Sequence, residues 1–370
     1  MKAFKDIFHL ITILNICIYI FMGCQSHDDN AYFNGEIRYI DDDIEDCEDV
    51  KLESIYLEGA NHGWIAVYDS LMFFLNPKLT DTFYQVFNIN TGKEIGTFCH
   101  KGNGPAEVVC LGPIFQFFKE GDELKTLLFA PNEEKFLIWN ISQSISQHKT
   151  MIDKITPYAW RKEHKNAAYN HMFLQDKDIL LTKVDAVPIN DECATLPYYQ
   201  KRTVNSNKLL RNYKIYKDSI INGETSVIPE SFFSSNDAFK PDGTKVVQAM
   251  VHLPQLNIID VNSGKVVGVR LKSQDDFSVF KGKKQISNYY IRVQADNNYI
   301  YALYWGKVPW GHNEIPYLNI IYVFDWDGKL IRKISMDHSI DKMWIDPVRN
   351  RLYIIGPKDD EVYYCEISKV

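Results

Sequence analysis

Aromatic side chains with polar neighbours concentrate in two segments that interrupt the strand pattern of this chain. Tryptophan and tyrosine rings stack on sugar rings and peptide side chains, while nearby histidine and arginine groups supply directional polar contacts. The candidate ligand-binding residues are Trp305, Trp310, His312 and Tyr317 in one segment and Trp160, Arg161 and His164 in the other. Aromatic rings that pack a loop onto its own scaffold would explain each segment equally well. Because long loops on a rigid scaffold commonly carry function, both segments predict a binding surface.

Acidic residues are numerous, but their spacing selects no catalytic pair. Retaining glycosidases need two carboxylates about 5 Å apart, and inverting enzymes need a separation of about 6.5 to 9.5 Å. The sequence contains no G-x-S-x-G nucleophile elbow, no H-E-x-x-H zinc motif and no C-x-x-C pair. Asp325 and Asp327 are interpreted as turn residues. The sequence therefore names no catalytic residue, no metal ligand and no cofactor.

A glycine-rich loop over residues 101–105 offers a second kind of chemistry. Lys101 and the backbone N–H groups from Gly102 to Gly104 could form a nest that binds an anion. The spacing nevertheless lacks both the P-loop pattern and the third glycine of a dinucleotide fingerprint. Glycines placed between two structural units, with Pro105 fixing the exit of the loop, explain the same residues. We therefore favour a structural role and keep the loop as a weaker candidate site.

Location is the property that the sequence specifies best. A basic amino terminus precedes an apolar run over residues 7–22 that ends at Gly23-Cys24. This pattern predicts a signal peptide over residues 1–23 and lipidation of Cys24. A membrane-spanning helix needs roughly 20 apolar residues, whereas this run has 16 and is interrupted by polar side chains. We expect a lipoprotein anchored in the bacterial cell envelope at the outer membrane, with periplasmic and surface exposure both left open.

Charge limits the possible partners. Removal of residues 1–23 changes the net charge from -7 to -8, and seven acidic residues lie between Asp41 and Asp49. A chain without a basic excess has little attraction for nucleic acid or for anionic lipid. The acidic run lacks the alternating spacing of a calcium loop, so a solvated linker over residues 24–49 is predicted.

The cysteines predict no disulfide framework. Five remain after Cys24, an odd and scattered set. Cys99 and Cys110 flank the glycine-rich loop and could pair in an oxidising compartment. Two separate thiols would fit the sequence at least as well.

Beyond residue 50, short apolar runs alternate with Asn, Asp and Gly, a pattern typical of strands and hairpins. One hairpin phrase, in which a strand ends at Asn or Asp and the turn closes on Gly-Lys, recurs at residues 86–98, 256–271 and 321–334. Glycine supplies the positive φ that such a turn needs, and the Asx side chain bonds the turn backbone. A second phrase, typical of two inner strands, occurs at residues 238–250, 293–305 and 345–357.

Pairing the phrases predicts six repeating units. They lie near residues 50–110, 111–155, 168–222, 232–272, 286–336 and 338–370. Units of this size predict an all-β fold, a six-bladed β-propeller over residues 50–370 with four-stranded antiparallel blades. A β-sandwich is the rival fold, because it also has short strands at regular spacing. The last unit is short, so we expect an amino-terminal strand to complete it and close the ring.

The stretch GTFCHKGNGPAE at residues 96–107 resembles the G-x-G-P-x-E phrase that follows the first blade in TolB-like six-bladed propeller lipoproteins. The resemblance covers most of the mature chain and includes residues 299–306 and 323–329. Where that family usually has glycine after the proline, this chain has Ala106. The resemblance implies a secreted, lipid-anchored propeller whose ligands are mostly unassigned.

We therefore expect an envelope-anchored binding module for a glycan, a peptide or a partner protein. A propeller-based glycan hydrolase or lyase is the alternative, and a purely structural scaffold is a third interpretation. The mouth of the central channel separates them. Convergent carboxylates with a His, Arg or metal would favour catalysis, an aromatic and amide surface would favour binding, and a flat apolar patch would favour a scaffold.

Overall fold

The described part of the chain is built almost wholly from β-strands. The computed structural model describes residues 29–42, 44, 47–59, 61–158, 167–186, 196–218, 230–272, 275–277, 279, 286–309, 317–357 and 361–367. These residues form six sheets, one for each blade of a β-propeller, which confirms the predicted all-β fold class and the number of blades. Among the same residues, no helix has the length and apolar character needed to cross a membrane.

The amino-terminal segment contributes one short helix and three short strands. They are α1 (Asp29–Tyr32), β1 (Glu36–Ile40), β2 (Cys47–Val50) and β3 (Glu53–Ile55). The three strands are together called the amino-terminal strap.

Each blade is an antiparallel sheet whose strands are named here in chain order. Blade I contains β4 (Trp64–Tyr68), β5 (Leu71–Leu75), β6 (Thr82–Asn88) and β7 (Glu94–His100). Blade II contains β8 (Phe117–Glu120), β9 (Glu123–Ala130), β10 (Lys135–Asn140) and β11 (Ile152–Pro157), with helix α2 (Ile141–Gln147) between its last two strands. Blade III contains β12 (Ala167–Asp176), β13 (Ile179–Ala186), β14 (Tyr198–Thr203) and β15 (Leu209–Lys214).

Blades IV to VI follow the same order. A 3-10 helix (Glu230–Phe233) leads into blade IV, which contains β16 (Ser235–Phe239), β17 (Lys245–Met250), β18 (Gln255–Asp260) and β19 (Val266–Leu271). Blade V contains β20 (Asn288–Ala295), β21 (Tyr299–Lys307), β22 (Ile320–Asp325) and β23 (Leu330–Met336). Blade VI contains β24 (Lys342–Asp346), β25 (Arg351–Ile355) and β26 (Val362–Glu366).

The repeated hairpin phrase forms the turn that the sequence predicts. In blade V, the Asp325 carboxylate accepts hydrogen bonds from the backbone N–H groups of Asp327 at 3.0 Å and Lys329 at 2.8 Å. Gly328 takes a φ of 87°, which L side chains rarely adopt. Equivalent positions are Asn88 with Gly92 and Asp260 with Gly264. The interpretation of Asp325 as a turn residue is thereby confirmed.

The ring closes with a strand from the amino-terminal strap. Strand β3 pairs antiparallel with β26, and the register joins Ile55 to Val362 and Glu53 to Tyr364. β3 thus supplies the outermost strand of blade VI, which the short carboxyl-terminal unit lacks. The expected closure by an amino-terminal strand is confirmed.

The strap corrects the prediction of a solvated linker for the residues that the structure describes. Strand β1 pairs in parallel with β19 and β2 pairs in parallel with β23, so each adds a fifth strand to a blade. The acidic side chains there face basic partners on the blades. Asp42 pairs with Lys333 at 2.5 Å, and Glu48 pairs with Arg332 at 3.0 Å. Pairing of its backbone and its charges holds the segment against the ring.

The two faces of the ring differ in the length of their connections. Strands alternate in direction within each blade, so the inner strands β4, β8, β12, β16, β20 and β24 all begin at the same face. That face also carries the connections between blades and those between second and third strands, and it is called the loop face. The opposite face carries short hairpin turns, such as residues 69–70 and 296–298, and is called the turn face.

The described cysteines are free thiols. Cys99 is buried and Cys110 is exposed, and the two are not joined. Burial raises the pKa of the Cys99 thiol well above its usual value. A protonated, buried thiol is a poor nucleophile, so Cys99 belongs to the packing of blade I.

Candidate functional site

A cavity of about 510 Å³ occupies the central channel. Its lining comes from the inner strands β4, β12, β16, β20 and β24, together with residues 113–117 at the start of blade II. Each inner strand presents a few side chains to the axis, so residues far apart in sequence meet there. A cavity of a few hundred cubic ångströms suits a small molecule, one sugar unit or a short peptide.

Cationic and aromatic side chains gather where the inner strands begin. Trp64 opens β4 and is 48% exposed. The guanidinium of Arg292 lies 5.2 Å from the centre of the Trp64 ring, which is a cation–π geometry. Arg292 Nε donates to the backbone carbonyl of Asp341 at 3.0 Å, and the Asp341 carboxylate pairs with Lys342 at 2.6 Å. Burial lowers the pKa of the Arg292 guanidinium, and the Asp341 charge opposes that shift.

A buried polar cluster forms the channel wall between blades III and IV. Lys183 Nζ donates to Ser235 Oγ at 2.8 Å and lies 3.5 Å from the Asp237 carboxylate. Ser235 and Tyr199 both donate to that carboxylate. Burial opposes ionisation, yet Lys183 holds the pKa of Asp237 below its usual value. The cluster therefore carries its charges as an internal ion pair.

His171 lines the channel in front of this cluster. Its Nδ1 atom lies 3.8 Å from Asp237 Oδ2, beyond hydrogen-bond distance, and is buried without a hydrogen-bond partner among the described residues. The ring packs against Phe115, with centroids 5.0 Å apart. Burial lowers the pKa of His171, Lys183 acts in the same direction and Asp237 opposes them. The imidazole is therefore neutral at pH 7.

Aromatic rings line the channel toward the turn face. The rings of Tyr68 and Phe117 lie 5.5 Å apart, and Phe117 meets Trp344 edge-on at 5.8 Å. Trp344 Nε1 donates to the backbone carbonyl of Val67 at 2.8 Å, which fixes the indole. The channel is therefore charged at its loop-face end and apolar further in.

Carboxylates are scarce in the described lining of the channel. Asp237 is the only carboxylate among the described residues that line the channel. A glycosidase of either type needs two carboxylates that face each other. Within the described ranges, no group of three or more His, Cys, Asp or Glu side chains is arranged to hold a metal ion.

Two of the sequence-predicted aromatic residues can be placed, and neither lines the channel. Trp305 lies near the loop-face end of β21 and packs against the hydrophobic core of blades V and VI. Tyr317 is 62% exposed, and its hydroxyl donates to the backbone carbonyl of Asp337 at 3.1 Å. Both therefore belong to the loop face that surrounds the channel mouth. The candidates Cys24, Trp160, Arg161, His164, Trp310 and His312 lie outside the described residues.

The glycine-rich loop is filled by its own carboxylate. Glu107 Oε2 accepts a hydrogen bond from the backbone N–H of Gly104 at 2.9 Å. A Cβ atom added at Gly102 would lie 2.2 Å from the same oxygen, so a side chain there would displace the carboxylate. Lys101 donates to the backbone carbonyl of Leu79. These contacts support a structural role for the glycine-rich loop, because its glycines leave room for the Glu107 side chain.

Sequence reasoning missed the channel residues. Trp64, His171, Asp237, Arg292 and Lys342 come from five different strands and form no local motif. The feature that these residues share is their position on the inner strand of a blade. Superposing the repeats on one another would have placed these residues in one ring.

Comparison with known proteins agrees with the fold. A member of the DUF4221 family from Bacteroides vulgatus is similar, with 13% sequence identity and a TM-score of 0.56 over 85% of this chain and 94% of that chain. A Bacteroides fragilis protein thought to be exported is similar at 13% identity, with a TM-score of 0.50 over 90% of this chain and 99% of that chain. No curated protein matches the sequence.

The family comparison identifies the chain more closely. The family described as TolB-like 6-blade propeller-like matches residues 51–347, which span β3, the four consecutive strands of each of blades I to V and the first strand of blade VI. This agrees with the six sheets and with the resemblance of the glycine-rich phrase. The chain therefore belongs to the family of TolB-like six-bladed propellers.

Proposed function

We propose that this chain is an envelope lipoprotein, tethered through Cys24, that binds a ligand in its central channel from the loop face. The observation that carries the proposal is the lining of the channel. It combines an exposed tryptophan, amide side chains and two cations with a single carboxylate that is already paired inside the protein. Such a surface holds a ligand without offering the acid and base of a hydrolase.

The ligand classes that fit are a glycan, a peptide or a segment of a partner protein. The channel volume of about 510 Å³ admits one sugar unit or a few side chains, so a larger ligand would bind by one end. Trp64 stands at the mouth with half of its surface exposed, where its ring can stack on a sugar or on an apolar side chain.

The proposed location agrees with the sequence and with the comparisons. The apolar run that ends at Cys24 is typical of a lipoprotein signal. A protein of similar fold from Bacteroides fragilis is thought to be exported. Both observations support a site of action outside the cytoplasm.

A glycan and peptide array probed with the purified protein tests the binding function. We expect hits that Trp64→Ala weakens by about tenfold, since loss of an aromatic stacking surface costs about 1 to 3 kcal/mol. Tyr317→Ala is the matched control, because Tyr317 is an exposed aromatic residue of the same face outside the channel lining. If the Trp64 variant binds normally and the Tyr317 variant loses binding, the site lies at the loop that contains Tyr317 rather than in the channel. A turnover assay on every hit completes the test, and product formation would contradict a pure binding role.

A further inference from the structure

We propose that the channel mouth contains a subsite for a single carboxylate, formed by Arg292 and Lys342, so that the ligand is a carboxylic acid with an apolar body. This inference rests on the proposed function and narrows its ligand class.

Arg292 uses only part of its donor capacity. A guanidinium carries five N–H groups. Nε donates to the Asp341 carbonyl at 3.0 Å, and one Nη1–H donates to the Ile291 carbonyl at 2.8 Å. Nη2 lies 3.5 Å from Asp341 Oδ1, which is an ion-pair distance rather than a good hydrogen bond. The other N–H groups have no acceptor among the described residues, and Arg292 lines the channel.

The charges at the mouth do not balance within the described residues. Arg292 and Lys342 share one carboxylate, that of Asp341, at 3.5 Å and 2.6 Å. Asp237, the one carboxylate among the described residues of the lining, is engaged by Lys183 on another part of the wall. The Arg292–Lys342 pair therefore retains one unit of positive charge. A partly desolvated charge of this kind attracts a monoanion more strongly than an exposed one does.

Trp64 holds the arginine in place. The guanidinium lies 5.2 Å from its ring centre, and the two backbone hydrogen bonds fix the remaining orientation. Arginine is favoured for carboxylates because its donors form a planar fork that can bind both oxygens. An orientation fixed before binding reduces the entropy that the ligand complex must lose.

The channel lining beyond the subsite determines which chemical groups the rest of the ligand can carry. Below the mouth, the channel is lined by Ile65, Val67, Phe117, Val293, Met343 and Trp344. An acid bound at Arg292 would place its remaining atoms against these side chains and bury apolar surface. A short apolar peptide with a free carboxyl terminus and a free organic acid both have this chemistry.

The experiment compares acids with their amides on the full-length protein in mild detergent. The probes are a peptide array that displays each sequence as the free acid and as the carboxyl-terminal amide, and titrations with 3-phenylpropionate and 3-phenylpropionamide. We expect at least about tenfold tighter binding of the acids. Acid-dependent peptide hits would identify a peptide terminus as the source, whereas binding of 3-phenylpropionate alone would identify a free organic acid.

Variants distinguish a role of Arg292 in carboxylate binding from a purely structural role. Arg292→Gln should remove the difference between acid and amide, and Arg292→Lys should retain part of it. Asp341→Asn should strengthen acid binding, a change that loss of packing would not produce. Arg351→Gln is the matched control, because Arg351 also stacks on an aromatic ring and pairs with a carboxylate in blade VI but lies outside the channel lining.

Two outcomes would overturn the subsite. One is equal binding of acids and amides, and the other is failure of every acid probe to bind. If neutral glycans or amides still bind in a Trp64-dependent manner, the proposed binding function stands while the carboxylate subsite fails. If nothing binds in the channel, both proposals fail together.

Discussion

Single residues of this propeller show how buried charges are kept stable. Lys183 is almost fully buried, and burial opposes its charged form, yet Asp237 and Asp185 hold its pKa above the usual value. Breaking a buried pair costs far more than breaking an exposed one, because it leaves a desolvated charge behind. The contribution of each ion pair to stability therefore depends on how deeply the pair is buried.

Asp237→Asn should lower the free energy of unfolding by about 3 to 5 kcal/mol at pH 7. Because Lys183 depresses the folded pKa of Asp237, the stabilisation is complete above the unfolded carboxyl value, about 3.9, and is lost as the pH falls through the lower folded pKa. Urea unfolding from pH 7 down to pH 3 measures both effects. The control is Asp327→Asn, whose carboxylate is 88% exposed beside Lys245 and should contribute less than about 1 kcal/mol. Equal losses for the two variants would contradict the argument.

At the scale of elements, the sequence predicts structure held by contacts between nearby residues. It does not predict structure held by contacts between distant residues. The hairpin turns of Asn88, Asp260 and Asp325 could be predicted because their hydrogen bonds close within four residues. The strap could not, because Asp42 and its partner Lys333 are 291 residues apart in the sequence. Without that partner, an acidic run is indistinguishable from a solvated linker.

The same distinction separates the parts of the candidate site. The aromatic loops are contiguous segments that can be recognised in the sequence. The channel, in contrast, is lined by single residues from separate strands. Arg292 and Trp64 are neighbours only because blades I and V both reach the axis of the ring. The sequence therefore predicted the fold, and the structure was needed for the cavity.

Phe33 anchors the amino-terminal strap in the core between blades III and IV. It is 1% exposed, and its ring lies 6.4 Å from Tyr216 and 6.3 Å from Phe277. We expect Phe33→Ala to lower the free energy of unfolding by about 3 to 4 kcal/mol, through lost burial and the cavity left behind. Chemical denaturation checks this value. Tyr56→Ala, at a side chain that is 76% exposed, should change stability by about 0.5 kcal/mol or less, and a similar loss at both sites would show that Phe33 is no anchor.

The whole molecule is a ring with its distinguishing features on one face. The channel mouth, the glycine-rich loop, the end of β21 and the start of β22 all lie at the loop face, while most connections at the turn face are tight turns. This division follows from four-stranded blades, in which both interblade connections and second-to-third connections fall on the same side. Function is expected on that side because loops on a rigid scaffold commonly carry binding residues.

Cys24→Ala should move the protein from the membrane fraction to the soluble fraction, since the proposed anchor is a lipid on that thiol. Cys17→Ala is the matched control, because it alters a cysteine of the same apolar region without touching the predicted lipidation site. Fractionation followed by a carbonate wash measures the outcome. Retention of the Cys24 variant in the washed pellet would disprove the lipid anchor.

The order of the strap strands along the chain has a mechanical consequence. A force that pulls on the amino-terminal end reaches the buried Phe33 first, then β1 and β2, and only then β3, which closes the ring. Strands β1 and β2 are extra edges on blades that already have four strands each, so they can peel away while blade VI keeps its closing strand. Strands β1 and β2 would then extend under force while β3 stays paired, and the channel would keep its shape.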